Sequence, residues 1–256
     1  MGSNVKYNDG SRVQRFEFRV QRFSQTNPEP GTLNLEPRIL KAIIFDLDGV
    51  IIDSEALHEE AGRRAMSQYA LNAVPVDFDA FKGKTEQDVF GYVVEVNEAD
   101  HVDVDELIAL KQRLYGDLID RLQPVDGALA FIERLAQAGL TMGLTTSSVP
   151  ENQQRAFDKF DLYQYFDTVI TAADVTHPKP HPEPYLTTAQ RLGVDPAYCL
   201  VIEDSTHGVD SARQAGCQVA GITTSFSKEA LAEAGVEVVV DHFDELAQHL
   251  RLEDTP

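Results

Sequence analysis

Residues 41–55 read KAIIFDLDGVIIDSE. The run 42–45 is continuously apolar, as a strand covered on both faces should be. It ends on Asp46, and Asp48, Gly49, a second apolar run and the pair Asp53-Ser54 follow. Residues i and i+2 at a strand end point the same way, so Asp46 and Asp48 share one side. Two carboxylates at one site resist joint ionisation. A chain that keeps them together needs a cation beside them, or a different task for each.

Working outward, short β-branched runs recur at TMGLT (141–145), DTVIT (167–171), CLVIE (199–203), QVAGI (218–222) and VEVVV (236–240). Amphipathic helix patterns separate them. Asp126 is expected to cap GALAFIERLAQAG, with Gly139 as its stop. Pro184 is expected to open YLTTAQRLG, ending at Gly193, and Ser205 precedes THGVDSARQAG, ending at Gly216. This alternation predicts an α/β fold with a doubly wound, parallel-sheet, Rossmann-like core. One segment breaks it. Residues 55–122 carry helix patterns at 55–71, 85–98 and 103–122 and no good strand. They are read as an all-helical cap domain inserted into a core made of 39–54 and 123–256, with Pro124-Val125-Asp126-Gly127 marking the return.

Residues 1–38 differ from the rest. Lys6, Arg12, Arg15, Arg19, Arg22 and Arg38 outweigh Asp9, Glu17, Glu29 and Glu36. VQRF occurs at 13–16 and 20–23, and Phe16, Phe18 and Val20 alternate with charges. The segment reads as an N-terminal extension, either a disordered leader or one amphipathic strand, joined by a linker at 27–31. The whole chain of 256 residues carries a formal net charge of −20. Such a surface repels phosphate backbones, so no nucleic-acid partner is expected. No apolar segment approaches the roughly 18–20 residues that cross a bilayer, so no membrane role is expected. The opening MGSNVKYNDGSRVQRF lacks the apolar core of a secretory signal. Cys199 and Cys217 lie in apolar strand patterns and read as reduced, which suits a cytoplasmic location. With no CxxC and no Cys/His cluster in the sequence, no zinc site is expected.

Ligands of open parallel sheets bind at the carboxyl ends of the strands. Reading those ends off gives Asp46 and Asp48, then Thr146-Ser147-Ser148, then Glu203-Asp204, with Lys179 in the proline-rich loop THPKPHPEP after DTVIT. Clustered carboxylates without cysteine or histidine suit a hard cation, and Mg²⁺ takes carboxylates together with water and phosphate oxygens. Its charge lets several carboxylates stay ionised side by side. A free carboxylate oxygen is then placed to attack phosphorus and give an aspartyl-phosphate. Lys179 offsets the charge, Thr146 donates a hydrogen bond, and the second aspartate handles protons.

FDLDGVIIDSE, the threonine of GLTTSS, the lysine of KPHPEPY and VIEDSTHGV, in that order, resemble the four motifs of the haloacid dehalogenase-like hydrolases. The resemblance runs from residue 41 to about 245. It is similar in layout to the subfamily with a small helical cap between the first two motifs, which includes β-phosphoglucomutase and many sugar-phosphate phosphatases. The resemblance implies Asp46 as nucleophile and Asp48 as acid/base, with Thr146 and Lys179 holding the phosphoryl group. It implies Mg²⁺ bound by the Asp46 side chain, the Asp48 backbone carbonyl and Asp204, with Glu203 assisting. Ser147 and Ser148 fall in the same substrate-facing turn. Dehalogenases of this group need only the first aspartate, so Asp48 argues for phosphoryl transfer.

The cap is expected to choose the substrate. His58 matches a histidine that orients the acid/base in the mutases, and FKGKTEQDVF (81–90) resembles their specificity loop, K-G-x-S-R. Lys82 and Gly83 match, Thr85 replaces the serine, and Glu86 stands where the mutase has an arginine for a second phosphate. Lys84 is left as a point charge without the fork geometry of guanidinium. The expectation is therefore a Mg²⁺-dependent phosphatase of a small phosphorylated metabolite, such as a sugar phosphate, with a β-phosphoglucomutase-type mutase as the alternative. A cap that must open and shut is compatible with a monomer. A binding protein with a vestigial site is disfavoured because every motif residue is intact. A receiver domain would lack the cap.

Overall fold

The structure, a computed structural model, describes residues 16–18, 38–78 and 85–252. Most of the N-terminal extension, with the 27–31 linker, lies outside the described residues, as do Lys82, Gly83 and Lys84. Strands β1 (Phe16–Phe18) and β2 (Arg38–Leu40) pair antiparallel, Phe16 opposite Leu40. The central strand follows at once as β3 (Ala42–Phe45).

From β3 the chain runs through β4 (Ile52–Asp53) into three helices, α1 (Glu55–Gln68), α2 (Glu86–Val96) and α3 (Val104–Gly116). It returns through β5 (Gln123–Pro124), which pairs antiparallel with β4. The remaining elements alternate: α4 (Ala128–Gln137), β6 (Thr141–Thr145), α5 (Pro150–Phe160), β7 (Thr168–Ile170), α6 (Glu183–Leu192) and β8 (Cys199–Glu203). The chain then runs through α7 (Thr206–Gln214), β9 (Gln218–Ile222), α8 (Lys228–Ala234), β10 (Val238–Val240) and α9 (Phe243–Leu250).

Six strands form one parallel sheet in the order β10-β9-β8-β3-β6-β7. This is the doubly wound α/β architecture that the alternation predicted. Burial on both faces explains the apolar runs. Ile43 and Phe45 join a core with Phe131, Phe157 and Phe243 from α4, α5 and α9. Ala42 and Ile44 point the other way, toward Tyr185, Val209 and Leu231 of α6, α7 and α8. The strand order reverses at β3, whose two neighbours are β6 and β8. Its carboxyl end is thus the switch point where such sheets bind ligands.

Several local expectations need correction. Asp126 does not cap α4; Gly127 holds the N-cap position at φ 75°, with no side-chain cap. Helix α6 opens at Glu183, with Pro182 at the N-cap, not at Pro184. The helices of 55–122 are shorter than their apolar periodicity. Ala70 turns left-handed after α1, and a 3₁₀ turn at Ile119–Arg121 follows α3. A capping box between Thr85 and Asp88 starts α2 at Glu86. Strands β7 and β10 are trimmed to three residues each. The three helices share their own apolar cluster, with Met66, Phe90, Val93 and Leu107 among its buried members.

Candidate active site

Asp46 continues β3, its backbone N–H donating to Ile202 O of β8 at 3.1 Å. The register sets Phe45 beside Leu144 and Ile202, so Asp46 emerges level with the ends of β6 and β8. Gly49 turns the chain at φ 77°, and any Cβ there would overlap the Asp204 carboxylate. Glycine is required on both counts.

Lys179, in the loop before α6, reaches across this edge. Its Nζ donates to Asp46 Oδ1 at 2.6 Å, Glu203 Oε1 at 2.7 Å and Thr145 O at 3.2 Å. Glu203, fully buried, is saturated: Oε1 also accepts from Tyr185 OH at 2.6 Å, and Oε2 from Ser205 Oγ and the backbone N–H groups of Asp204 and Ser205. Glu203 is thereby the anchor of Lys179. Burial opposes ionisation of both groups. Their mutual attraction wins: Lys179, with hydrogen bonds from Tyr185 and Ser205, holds the Glu203 carboxyl below the usual range, and Asp46 and Glu203 hold the Lys179 ammonium above it.

Asp46 and Asp204 are pushed the other way. Burial above all, then the charges of Glu203 and Asp48, raises Asp46 to about 7 against the pull of Lys179. Burial and the charges of Glu203 and Asp46 raise Asp204 well above the carboxylate range. Asp204 Oδ2 accepts from the hydroxyls of Ser225 and Thr224. Oxygens of Asp46, Glu203 and Asp204 lie within 4.8 Å of one another. Buried oxygen donors whose charges oppose one another fit a hard divalent cation.

Asp48 occupies a different environment. Burial works against its ionisation. The hydrogen bond from His58, then bonds from Ser148 and Ser54, overcome it and hold the carboxyl below the usual range. Ser148 Oγ donates to Asp48 Oδ2 at 2.7 Å, Thr146 Oγ1 reaches the same oxygen at 3.5 Å, and His58 Nε2 faces Oδ1 at 3.4 Å. Thr146 Oγ1 in turn accepts the Ser148 N–H at 3.0 Å. Ser147 lines the same cleft, of about 780 Å³, which also takes in Asp46, Asp48, His58, Lys179 and Asp204.

His58, on α1, is stacked on Tyr115 of α3, ring centroids 3.9 Å apart. Its Nδ1 lies 2.6 Å from Lys111 Nζ. An ammonium can only donate, so Nδ1 accepts and the proton sits on Nε2, facing Asp48. Burial and the Lys111 charge hold the imidazole pKa down, so the neutral ring is favoured. Lys111 also donates to Glu86 Oε1 at 2.5 Å, and Gln112 Nε2 donates to Oε2 at 2.8 Å. Glu86, assigned to substrate recognition in the sequence, is therefore neutralised from within the helical segment. Lys82 and Lys84 lie outside the described residues.

Sequence reasoning missed Lys111, Tyr185 and Ser225. Lys111 had a readable signal: Leu107, Lys111 and Tyr115 form an i, i+4, i+8 stripe, all three buried. A lysine on a buried stripe needs a partner. Tyr185 and Ser225 carried none, since a tyrosine after a proline-rich loop and a serine in a turn are ordinary.

The profile of the haloacid dehalogenase-like hydrolase family matches residues 43–222. The validoxylamine A 7'-phosphate phosphatase of Streptomyces hygroscopicus subsp. limoneus is 35% identical over 204 residues, covering 77% of this chain and 92% of that protein. The fructose-1-phosphate phosphatase YqaB of Escherichia coli is 32% identical, covering 68% and 92%. The crystal structure of β-phosphoglucomutase from Clostridium difficile superposes with a TM-score of 0.68 at 25% identity, covering 83% and 97%.

Proposed function

Because this chain belongs to the haloacid dehalogenase-like hydrolases, we propose that it is a Mg²⁺-dependent phosphatase of small sugar phosphates that works through an aspartyl-phosphate on Asp46. The observation that carries the reading is the unequal treatment of two neighbouring carboxylates. Asp46 is charge-paired to Lys179, while Asp48 is turned to His58 and Ser148. One is built to attack and the other to handle a proton.

An Asp46 oxygen attacks phosphorus, and the bond from phosphorus to the sugar oxygen breaks. Lys179 and the Thr146 hydroxyl hold the phosphoryl oxygens. Asp48 is ionised in the resting site, and an arriving phosphate adds negative charge that raises its proton affinity. Asp48 takes up a proton from solvent as the substrate binds and gives it to the leaving oxygen. It takes one back from the water that cleaves the aspartyl-phosphate, which releases phosphate and restores the Asp46 carboxylate. Asp46, the Asp48 backbone carbonyl and Asp204 would hold Mg²⁺, with Glu203 supporting them through Lys179. The bound ion supplies positive charge that lets these carboxylates remain ionised and offsets charge on the transferring group.

Residues 55–122 serve as the cap, closing over the leaving group and shedding water. Phosphatase is preferred to mutase because Lys111 is neutralised by Glu86 and because Asp53, Glu55, Asp126 and Asp241 also line the cleft. A second phosphate would meet a net negative wall among the described residues. The phosphatase names of the two relatives support the same choice.

The test is a panel of sugar monophosphates with Mg²⁺ and no bisphosphate activator, scored for released phosphate and for isomerisation. Phosphate release is expected, with Asp46→Asn lowering it about 10³-fold or more. Conversion of glucose 1-phosphate to glucose 6-phosphate with little phosphate released would overturn the assignment in favour of the mutase. Equal, metal-independent turnover by both proteins would overturn the catalytic reading itself.

A further inference from the structure

No sequence motif suggested a zinc site, yet the loop that delivers Lys179 brings His177, His181 and Glu183 together. One ligand atom from each lies within 4.8 Å of the others. His177 Nδ1 is 2.7 Å from Glu183 Oε2, and the two imidazole centroids are 4.6 Å apart. We propose that this trio is a second metal site, separate from the catalytic carboxylates and selective for a borderline transition ion such as Zn²⁺. Two imidazoles and a carboxylate are the donor set of open zinc sites, with water completing the coordination. Mg²⁺ disfavours imidazole and would stay with the oxygen cluster around Asp46.

The loop is fixed before any ion arrives. Pro178, Pro180, Pro182 and Pro184 restrict its backbone. Ser211 Oγ donates to His181 O at 2.6 Å, and Gln214 Nε2 to Pro180 O at 3.1 Å. The Glu183 carboxylate accepts the backbone N–H groups of Thr176 and His177 at 2.7 and 2.9 Å, which aims it at the histidines. Metal binding replaces the proton between His177 and Glu183. It also costs the 3.2 Å bond that His181 Nδ1 accepts from Glu183 N–H. A neutral imidazole has one lone pair in its plane, so it cannot keep that bond and take the ion. His177 is 62% exposed at its side chain, leaving room for water and for ion entry.

The full chain, saturated with Mg²⁺, is titrated with zinc chloride by calorimetry, and with Co²⁺ followed by its ligand-field absorption. One Zn²⁺ per chain and a tetrahedral or five-coordinate cobalt spectrum are expected. His177→Ala and His181→Ala should each abolish that equivalent, and Glu183→Gln should weaken it at least tenfold. Asp204→Asn, at the other cluster, should leave it in place. Far-ultraviolet circular dichroism of each variant checks the fold, and zinc should raise the melting temperature of the wild type and of Asp204→Asn but not of the two histidine variants. Unchanged stoichiometry in both histidine variants would assign the zinc to scattered surface histidines or to the catalytic carboxylates and overturn the proposal. So would the absence of saturable binding in the presence of Mg²⁺.

Discussion

Lys111 reaches Asp48, the proposed acid/base, through His58. Its side chain is 6% exposed and sits between a carboxylate and an imidazole, donating to both. Removing it in Lys111→Met leaves Glu86 without its cation and lets the His58 proton move between ring nitrogens. Breaking a fully buried pair costs about 3–5 kcal/mol. Glu86 is 37% exposed, and the screening this brings reduces the expected loss to roughly 1–3 kcal/mol. Urea denaturation measures it, and adding Glu86→Gln should recover part of the loss. Burial raises the Glu86 carboxyl, but Lys111 and Gln112 outweigh it and hold it below its ordinary value. The stability it contributes is present above pH of about 4.5 and is lost as pH falls through the folded value. The Lys111→Met loss should therefore shrink in acid. The same variant removes a cation that keeps His58 neutral, so the imidazole pKa should rise, visible in its NMR titration and as a shifted pH profile of kcat/KM. A purely structural lysine would move the stability and leave the profile alone.

At the scale of elements, the close fit between α7 and Glu203 reverses an ordinary rule. Replacing glycine by alanine inside a helix usually stabilises by about 0.5–1 kcal/mol. A Cβ added at Gly91 in α2 would meet nothing within 4 Å, so Gly91→Ala should show that gain. Gly208, in the first turn of α7, faces the Glu203 carboxylate so closely that a Cβ would overlap it. Gly208→Ala should instead destabilise and lower turnover by displacing the anchor of Lys179; paired urea titrations and phosphatase assays report both signs. Elements of this kind were unevenly legible in the sequence. The six parallel strands could be read because burial on both faces makes each run apolar. The β4–β5 pair could not, since it joins two residues on each side across about seventy intervening positions and includes Pro124. The Asp126 cap failed because Gly127 takes the cap position in a left-handed turn. Ser205 was legible: its Oγ accepts the Gly208 N–H at 3.1 Å, as a helix start requires.

Across the whole molecule, the carboxylate cluster at the ends of β3 and β8 concentrates a problem already visible in the net charge of −20. The motif carboxylates could be found in the sequence because each follows an apolar strand. Their separate roles were readable only through the family resemblance, because the contacts that distinguish them depend on strand order and on side chains distant in sequence, such as His58, Ser148 and Lys179. The folded Asp46 carboxyl lies near 7, raised by burial first, while in the unfolded chain it lies near 3.8. Between those values the native state binds more protons than the unfolded one, so this group's contribution is full below about 3.8 and is lost as pH rises toward 7. Asp204, raised by burial and by its neighbours, acts in the same sense. In EDTA, stability should therefore decline between about pH 4 and 7. A divalent cation that binds the folded state alone reverses the decline by mass action. Mg²⁺ should thus raise the thermal midpoint strongly at pH 7.5 and little at pH 5. Asp46→Asn removes one of the opposed charges, so its EDTA melting curve should depend less on pH over this interval, and its response to Mg²⁺ should be smaller. Thermal melts of both proteins at the two pH values, with EDTA or Mg²⁺, decide the matter. A Mg²⁺ effect of equal size at both pH values would mean that the ion is not relieving the repulsion among Asp46, Glu203 and Asp204.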